Sequence, residues 1–142
     1  MITENYIKMC ELAEEIQKEW RPKIGDYYYE KGHHKIFDKK PYHYKAILDK
    51  EKSYLFHKKY NDNIFNYKRF WLPTQEQLQE MVKDKWICEA DMLFVFKYWI
   101  EKAMVEKIIS VAKYTLTELW LAFVMYEKYH KIWTGEKWEK EK

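Results

Sequence analysis

The sequence predicts an α+β fold in a single domain spanning 1–142, with a small antiparallel sheet packed against several helices. Three observations predict it. The three glycines and three prolines fall at Pro22, Gly25, Gly32, Pro41, Pro73 and Gly135, which leaves residues 74–134 free of breakers; an uninterrupted stretch of that length is suited to helices. Residues 24–72 are aromatic-rich, punctuated by turn signals, and read as strands. Two segments, beginning at Thr74 and Thr115, carry the chemistry of a helix start. A chain of 142 residues is long enough to bury one core without disulfides or metals.

The elements follow in order. Over residues 3–20, Ile7, Cys10, Ala13, Ile16 and Trp20 recur at spacings of three and four, so one helix face is apolar and Glu/Lys cover the other. Thr3 is the expected N-cap, and Arg21-Pro22 ends the helix because the residue before proline disfavours helical backbone. Tyr27-Tyr28-Tyr29, set between Gly25-Asp26 and Lys31-Gly32, reads as a strand entering a turn, with His33–Asp38 as its return. Tyr42–Leu48 and Ser53–Tyr60 are ambiguous, Asn61-Asp62-Asn63 is a turn signal, and Ile64–Leu72 is expected to be a strand.

The helical region covers 74–131. Thr74 at N-cap with Gln77 at N3 forms a capping box, and the helix runs on through Leu78, Met81 and Val82. Thr115 and Glu118 repeat the device, with Tyr114 placed to staple onto Leu119. Between them, Ala90–Lys113 carries Leu93, Phe96, Ile100, Met104, Ile108 and Val111 as an expected buried stripe, with Lys97/Glu101 and Lys102/Glu106 as i,i+4 pairs on the exposed side. The last helix, Leu116–Lys131, is expected to bury Leu119, Trp120, Phe123 and Val124. Thr134-Gly135-Glu136 turns the chain so that Trp138 packs back, and 132–142 is a C-terminal tail, frayed and charged from Glu139 to Lys142.

Charge and composition bound the function. The net charge is +3, but residues 31–69 hold eleven Lys/Arg against four Asp/Glu, so the basic excess sits in one segment. Lys outnumbers Arg 24 to 2 among the 26 basic residues, a bias that fits an AT-rich genome. Thr3–Trp20 is charged throughout, so no signal peptide is expected. No apolar run approaches the roughly 18 residues of a membrane span, and the expected location is cytoplasmic. Cys10 and Cys88 form no C-x-x-C pair and are expected to be reduced and buried.

Catalytic signatures are missing. Three separated glycines form neither a P-loop nor a dinucleotide fingerprint. Ser53 and Ser110 lie in no nucleophile elbow. The expectation is a protein that is not an enzyme and carries no cofactor and no metal. His33-His34, with Asp38 or His43, invites a metal reading, but adjacent strand residues point to opposite faces, and a solvated turn accounts for them. Glu14-Glu15 and the series Glu76, Glu80, Asp84 are expected to be solvated faces, since catalytic carboxylates need desolvation.

The strongest functional signal is basic and aromatic. Lys35, Lys39, Lys40, Lys45, Lys58, Lys59, Lys68 and Arg69 interleave with Phe37, Tyr42, Tyr44, Tyr54, Phe56, Tyr60 and Tyr67. Such a surface neutralises phosphates and stacks bases, while a half-buried sheet with lysines outward produces the same alternation. A ligand site is expected where the sheet meets the second helix: Tyr27, Tyr29, Lys68, Arg69, Trp71 and Gln75. Arg69 offers a planar fork for phosphate, the helix start at Thr74 offers free N–H groups, and the aromatic rings offer stacking faces. The bland alternative places Trp71 in the core and leaves Arg69 a surface charge.

Several stretches carry a resemblance. Trp20-Arg21-Pro22 through Gly25-Asp26-Tyr27-Tyr28-Tyr29, Trp71-Leu72-Pro73-Thr74-Gln75-Glu76-Gln77-Leu78-Gln79-Glu80-Met81, and Leu119–Tyr129 followed by Trp133–Trp138 resemble small accessory proteins of phages and prophages of Gram-positive bacteria. The resemblance implies expression in a bacterial host cytoplasm and action by binding, as an inhibitor of host defence or a modulator of host machinery. It carries over no functional residue. Two functions are therefore expected: sequestration of a nucleotide or nucleic acid, or inhibition of a host protein through an aromatic surface. The aromatic load, 19% of residues, further predicts a homodimer or larger homo-oligomer with Trp120, Trp133 and Trp138 at its contacts.

Overall fold

A computed structural model describes residues 2–31, 44–46, 68–107 and 110–142, with the backbone alone at 31, 44–46, 68 and 111. The fold is α+β, and the chain divides into two units, Met1–Pro73 and Thr74–Lys142. Among the described residues no helix is long and apolar enough to cross a membrane.

In the first unit, the Thr3 hydroxyl accepts from the Tyr6 N–H at 3.0 Å and opens α1, Glu4–Leu12. The expected stripe is buried in full: Ile7, Cys10, Ala13, Ile16 and Trp20 all lie in the core, joined by Tyr6 and Met9. The expected single helix over 3–20 is instead two. Ala13 leaves helical geometry at φ −85°, ψ 71°, and α2 spans Glu14–Glu19. At the break the Cys10 carbonyl accepts from the Ala13 N–H at 3.1 Å and from Gln17 Nε2 at 2.9 Å. That carbonyl would otherwise serve the next turn of a continuous helix.

A turn then leads into the sheet. The Asp26 N–H donates to the Lys23 carbonyl at 3.1 Å, and Gly25 sits at φ +91°, a conformation that glycine adopts without Cβ strain. The Asp26 carboxylate is buried and accepts from Trp20 Nε1 at 2.9 Å and the Lys23 N–H at 3.0 Å. Strands β1 (Tyr27–Lys31), β2 (Tyr44–Ala46) and β3 (Lys68–Leu72) form an antiparallel sheet in the order β2-β1-β3. Helix α1 packs on β3. Tyr44–Ala46 resolves an ambiguous stretch as a strand, and the expected Ile64–Leu72 strand is seen from Lys68. The expected strand His33–Asp38, the segment Ser53–Tyr60 and the turn at Asn61-Asp62-Asn63 lie outside the described residues.

The second unit opens on the capping box. The Gln77 N–H donates to Thr74 Oγ1 at 3.2 Å, and the Thr74 N–H donates to Gln77 Oε1 at 2.9 Å. Helix α3 is Gln75–Val82, followed by a 3₁₀ turn at Lys83–Lys85. Helix α4 is Glu89–Val105; it stops short of the expected Lys113, and Lys107 takes a left-handed φ of 55°. Helix α5, Leu116–Tyr129, begins with Thr115 Oγ1 accepting from the Glu118 N–H at 3.2 Å. His130 ends it in the left-handed conformation. Phe96 of α4 stacks on Trp120 of α5 with centroids 3.9 Å apart, and Phe123 meets both rings edge-on.

Four expectations are corrected here. The tail expected to fray from Glu139 is in part a strand: β4 (Lys131–Trp133) and β5 (Trp138–Lys140) pair as a hairpin with Trp133 opposite Trp138. Thr134 holds its loop, donating from its N–H to the Lys137 carbonyl at 3.0 Å. Cys88 is exposed, while Cys10 is buried, and both are free thiols. The expected α4 stripe is rotated: Leu93 and Met104 are half exposed, and the buried face is Met92, Phe96 and Ala103. Trp120 and Trp133 are buried within the chain, so their rings are not available as oligomer contacts.

Candidate functional site

The pleat of the sheet decides what the expected ligand residues can do together. In the β1–β3 register, Tyr27 lies opposite Leu72, Tyr28 opposite Trp71, Tyr29 opposite Phe70 and Glu30 opposite Arg69. Alternate residues face opposite sides, so Tyr27 and Tyr29 share one face with Phe70 and Leu72. Arg69 and Trp71 share the other with Tyr28 and Glu30. The two tyrosines and the Arg69/Trp71 pair therefore do not converge on one point.

Tyr29, Trp71 and Arg69 also have local partners. Tyr29 is buried and stacks on Phe70, with centroids 6.4 Å apart. Trp71 is buried and lies parallel to Trp20, at 6.4 Å and 2°. Arg69 Nε donates to Glu30 Oε2 at 3.0 Å. Burial first, and then Glu30, raises the Tyr28 hydroxyl above the usual tyrosine pKa, with Arg69 opposing. Lys68 occupies the end of β3 opposite Lys31. Gln75 is the first residue of α3, in the second unit. The N–H groups of Thr74 and Gln77 at that helix start are taken up by the box itself. Of the six residues, Tyr27 is the aromatic that reaches solvent, at 37% exposure.

The basic aromatic segment falls mostly outside the described residues, as do His33, His34, Asp38 and His43. Among the described residues no group of three or more His, Cys, Asp or Glu side chains is placed to hold a metal. Glu76, Glu80 and Asp84 are exposed, with Glu80 paired to Lys83 at 2.6 Å.

A different surface stands out in the second unit. Phe94, Tyr98 and Val105 of α4 are 72%, 63% and 82% exposed. At 3.6 residues per turn, positions i, i+4 and i+11 fall within about 40° of arc, so the three form one strip along the helix. It lies opposite the buried face of Met92, Phe96 and Ala103. Leu93 and Met104 are exposed further round the helix, and Ile87, just before it, is fully exposed. The expected Lys97–Glu101 pair, at 3.7 Å, flanks the strip on the side of Leu93 and Met104 and separates those two residues from it. Sequence reasoning assigned α4 a single apolar stripe and missed this one. The signal was present, because Phe94, Tyr98 and Val105 form a second helical series on the same element.

Comparison with protein-family models, with curated proteins and with solved structures finds no match to this chain.

Proposed function

We propose that the protein is a non-catalytic binding module that docks onto a host protein through the solvent-facing strip of α4. The carrying observation is the exposure of Phe94, Tyr98 and Val105 in one line. Contiguous exposed apolar surface is costly to leave in water and marks interaction sites. Aromatic side chains ringed by polar groups dominate the energetics of protein interfaces. Inhibition of a host factor in the bacterial cytoplasm is the role that fits such a surface and the resemblance to phage accessory proteins.

The test places a photo-reactive phenylalanine analogue at position 94 in cells, with the same analogue at Lys140 as control. The expected result is an adduct with one host protein at position 94 alone, abolished by Tyr98→Glu, with the circular dichroism spectrum of that variant unchanged. Absence of a position-specific adduct would remove the proposal. An adduct of twice the chain's mass would replace it with the homo-oligomer reading.

Nucleotide or nucleic-acid binding is the second reading, supported by the part-exposed Arg69 of the first unit. It requires a phosphate to compete with Glu30 for Arg69. Affinity for a phosphate ligand falls steeply with salt, whereas docking through α4 does not.

A further inference from the structure

A shallow cleft opens between α4, α5 and the C-terminal hairpin. Two small residues, Ala103 of α4 and Ala122 of α5, leave the space that larger side chains would fill. Its walls are aromatic. Trp99 and Tyr126 lean against each other with centroids 6.1 Å apart and planes at 44°, and Trp133 lies at the base, packed on Trp138 at 5.0 Å.

Its rim is acidic. Glu106 and Glu141 line the cleft, against one ammonium, Lys102. The Lys102–Glu106 contact is loose, at 4.0 Å between half-exposed groups. The Tyr126 hydroxyl donates to Glu141 Oε1 at 3.2 Å, which orients that carboxylate at the mouth. The Tyr126 hydroxyl titrates above the usual tyrosine range, first because it is partly buried and then because Glu141, Glu127 and Glu106 place negative charge near it. Glu127 is itself paired with Lys85 at 3.3 Å.

We propose that this cleft binds a small organic cation, an alkylated ammonium. An anion would meet two carboxylates. A strongly hydrated inorganic cation would lose water against apolar walls with little in return. An alkylated ammonium carries weakly hydrated positive charge that both π faces and carboxylates attract, and its alkyl groups fill the space over the alanines. The proposal is independent of docking through α4's outer strip, because it uses Trp99, Glu106 and Ala103 on the other side of that helix.

The probe is tetramethylammonium chloride, titrated at constant ionic strength against sodium chloride, with the neutral isostere tert-butanol in parallel. Binding is read from the indole N–H resonances. The expected result is a saturable shift of Trp99 and Trp133 with tetramethylammonium and none with sodium or tert-butanol. The double variant Glu106→Gln, Glu141→Gln removes charge from exposed positions while keeping shape. It should weaken the ammonium about tenfold, equivalent to about 1.4 kcal/mol. A response to tert-butanol equal to that of tetramethylammonium would overturn the proposal, as would unchanged affinity in the double variant or no saturable shift at all.

Discussion

Helices α4 and α5 are neighbours in sequence, both rich in apolar residues, and they end in different environments. From Glu118 to Met125, eight consecutive residues of α5 are buried. In α4, Met92, Phe96 and Ala103 are buried while Phe94, Tyr98 and Val105 face solvent. A helix that is apolar on every side belongs in a core. Helix α5 obeys that rule and α4 does not, so composition alone does not tell a covered face from an uncovered one. The difference separates side chains that hold the unit together from side chains left free to hold something else.

Substitutions along the two helices test that division. Trp120→Ala should have the largest effect, because the ring is buried and stacked on Phe96 at 3.9 Å. Removing it leaves a cavity worth about 3–5 kcal/mol, and denaturant unfolding would register this as a lower midpoint. Thr115→Ala should cost about 1 kcal/mol, since it removes the side-chain acceptor for the Glu118 N–H at the start of α5. Phe94→Ser should stay within about 0.5 kcal/mol of the parent while abolishing partner docking. If Phe94→Ser instead destabilised the chain as much as Trp120→Ala, the outer strip of α4 would belong to the core and the comparison would collapse.

Local chemistry made most of the fold legible. Thr3, Thr74 and Thr115 each cap the helix their position predicts, because an N-cap is a contact between residues three apart. The buried face of α1 and α2 was equally readable from Ile7, Cys10, Ala13, Ile16 and Trp20, although the break at Ala13 was not. Gln17 bonds the Cys10 carbonyl at that break, and its other partner, Trp71, is 54 residues away. The rotation of α4 was missed because Leu93 and Phe94 are both apolar, so the periodicity admits two overlapping stripes; the choice between them is made by Trp120 and Phe123 of α5. The expected ligand residues are grouped by their chemistry at the junction of the sheet and the second helix, which does not fix the face each side chain takes. Once β1 and β3 pair, the strand period of two sends Tyr27 and Tyr29 to one face and Arg69 and Trp71 to the other.

Gln17 has a consequence beyond the helix break. Among the described residues strand β3 is at the edge of its sheet, where unpaired backbone groups invite another chain to add a strand. The Gln17 carboxamide accepts from the Trp71 N–H at 2.7 Å and donates to the Trp71 carbonyl at 3.0 Å. Two residues further, the Tyr6 hydroxyl donates to the Pro73 carbonyl. One side-chain amide thus imitates a single peptide unit of a missing neighbour, and a phenol continues the imitation. An intruding strand would have to evict both, so at high concentration the protection of this border against amyloid-like stacking rests on two residues that a hydropathy profile would pass over.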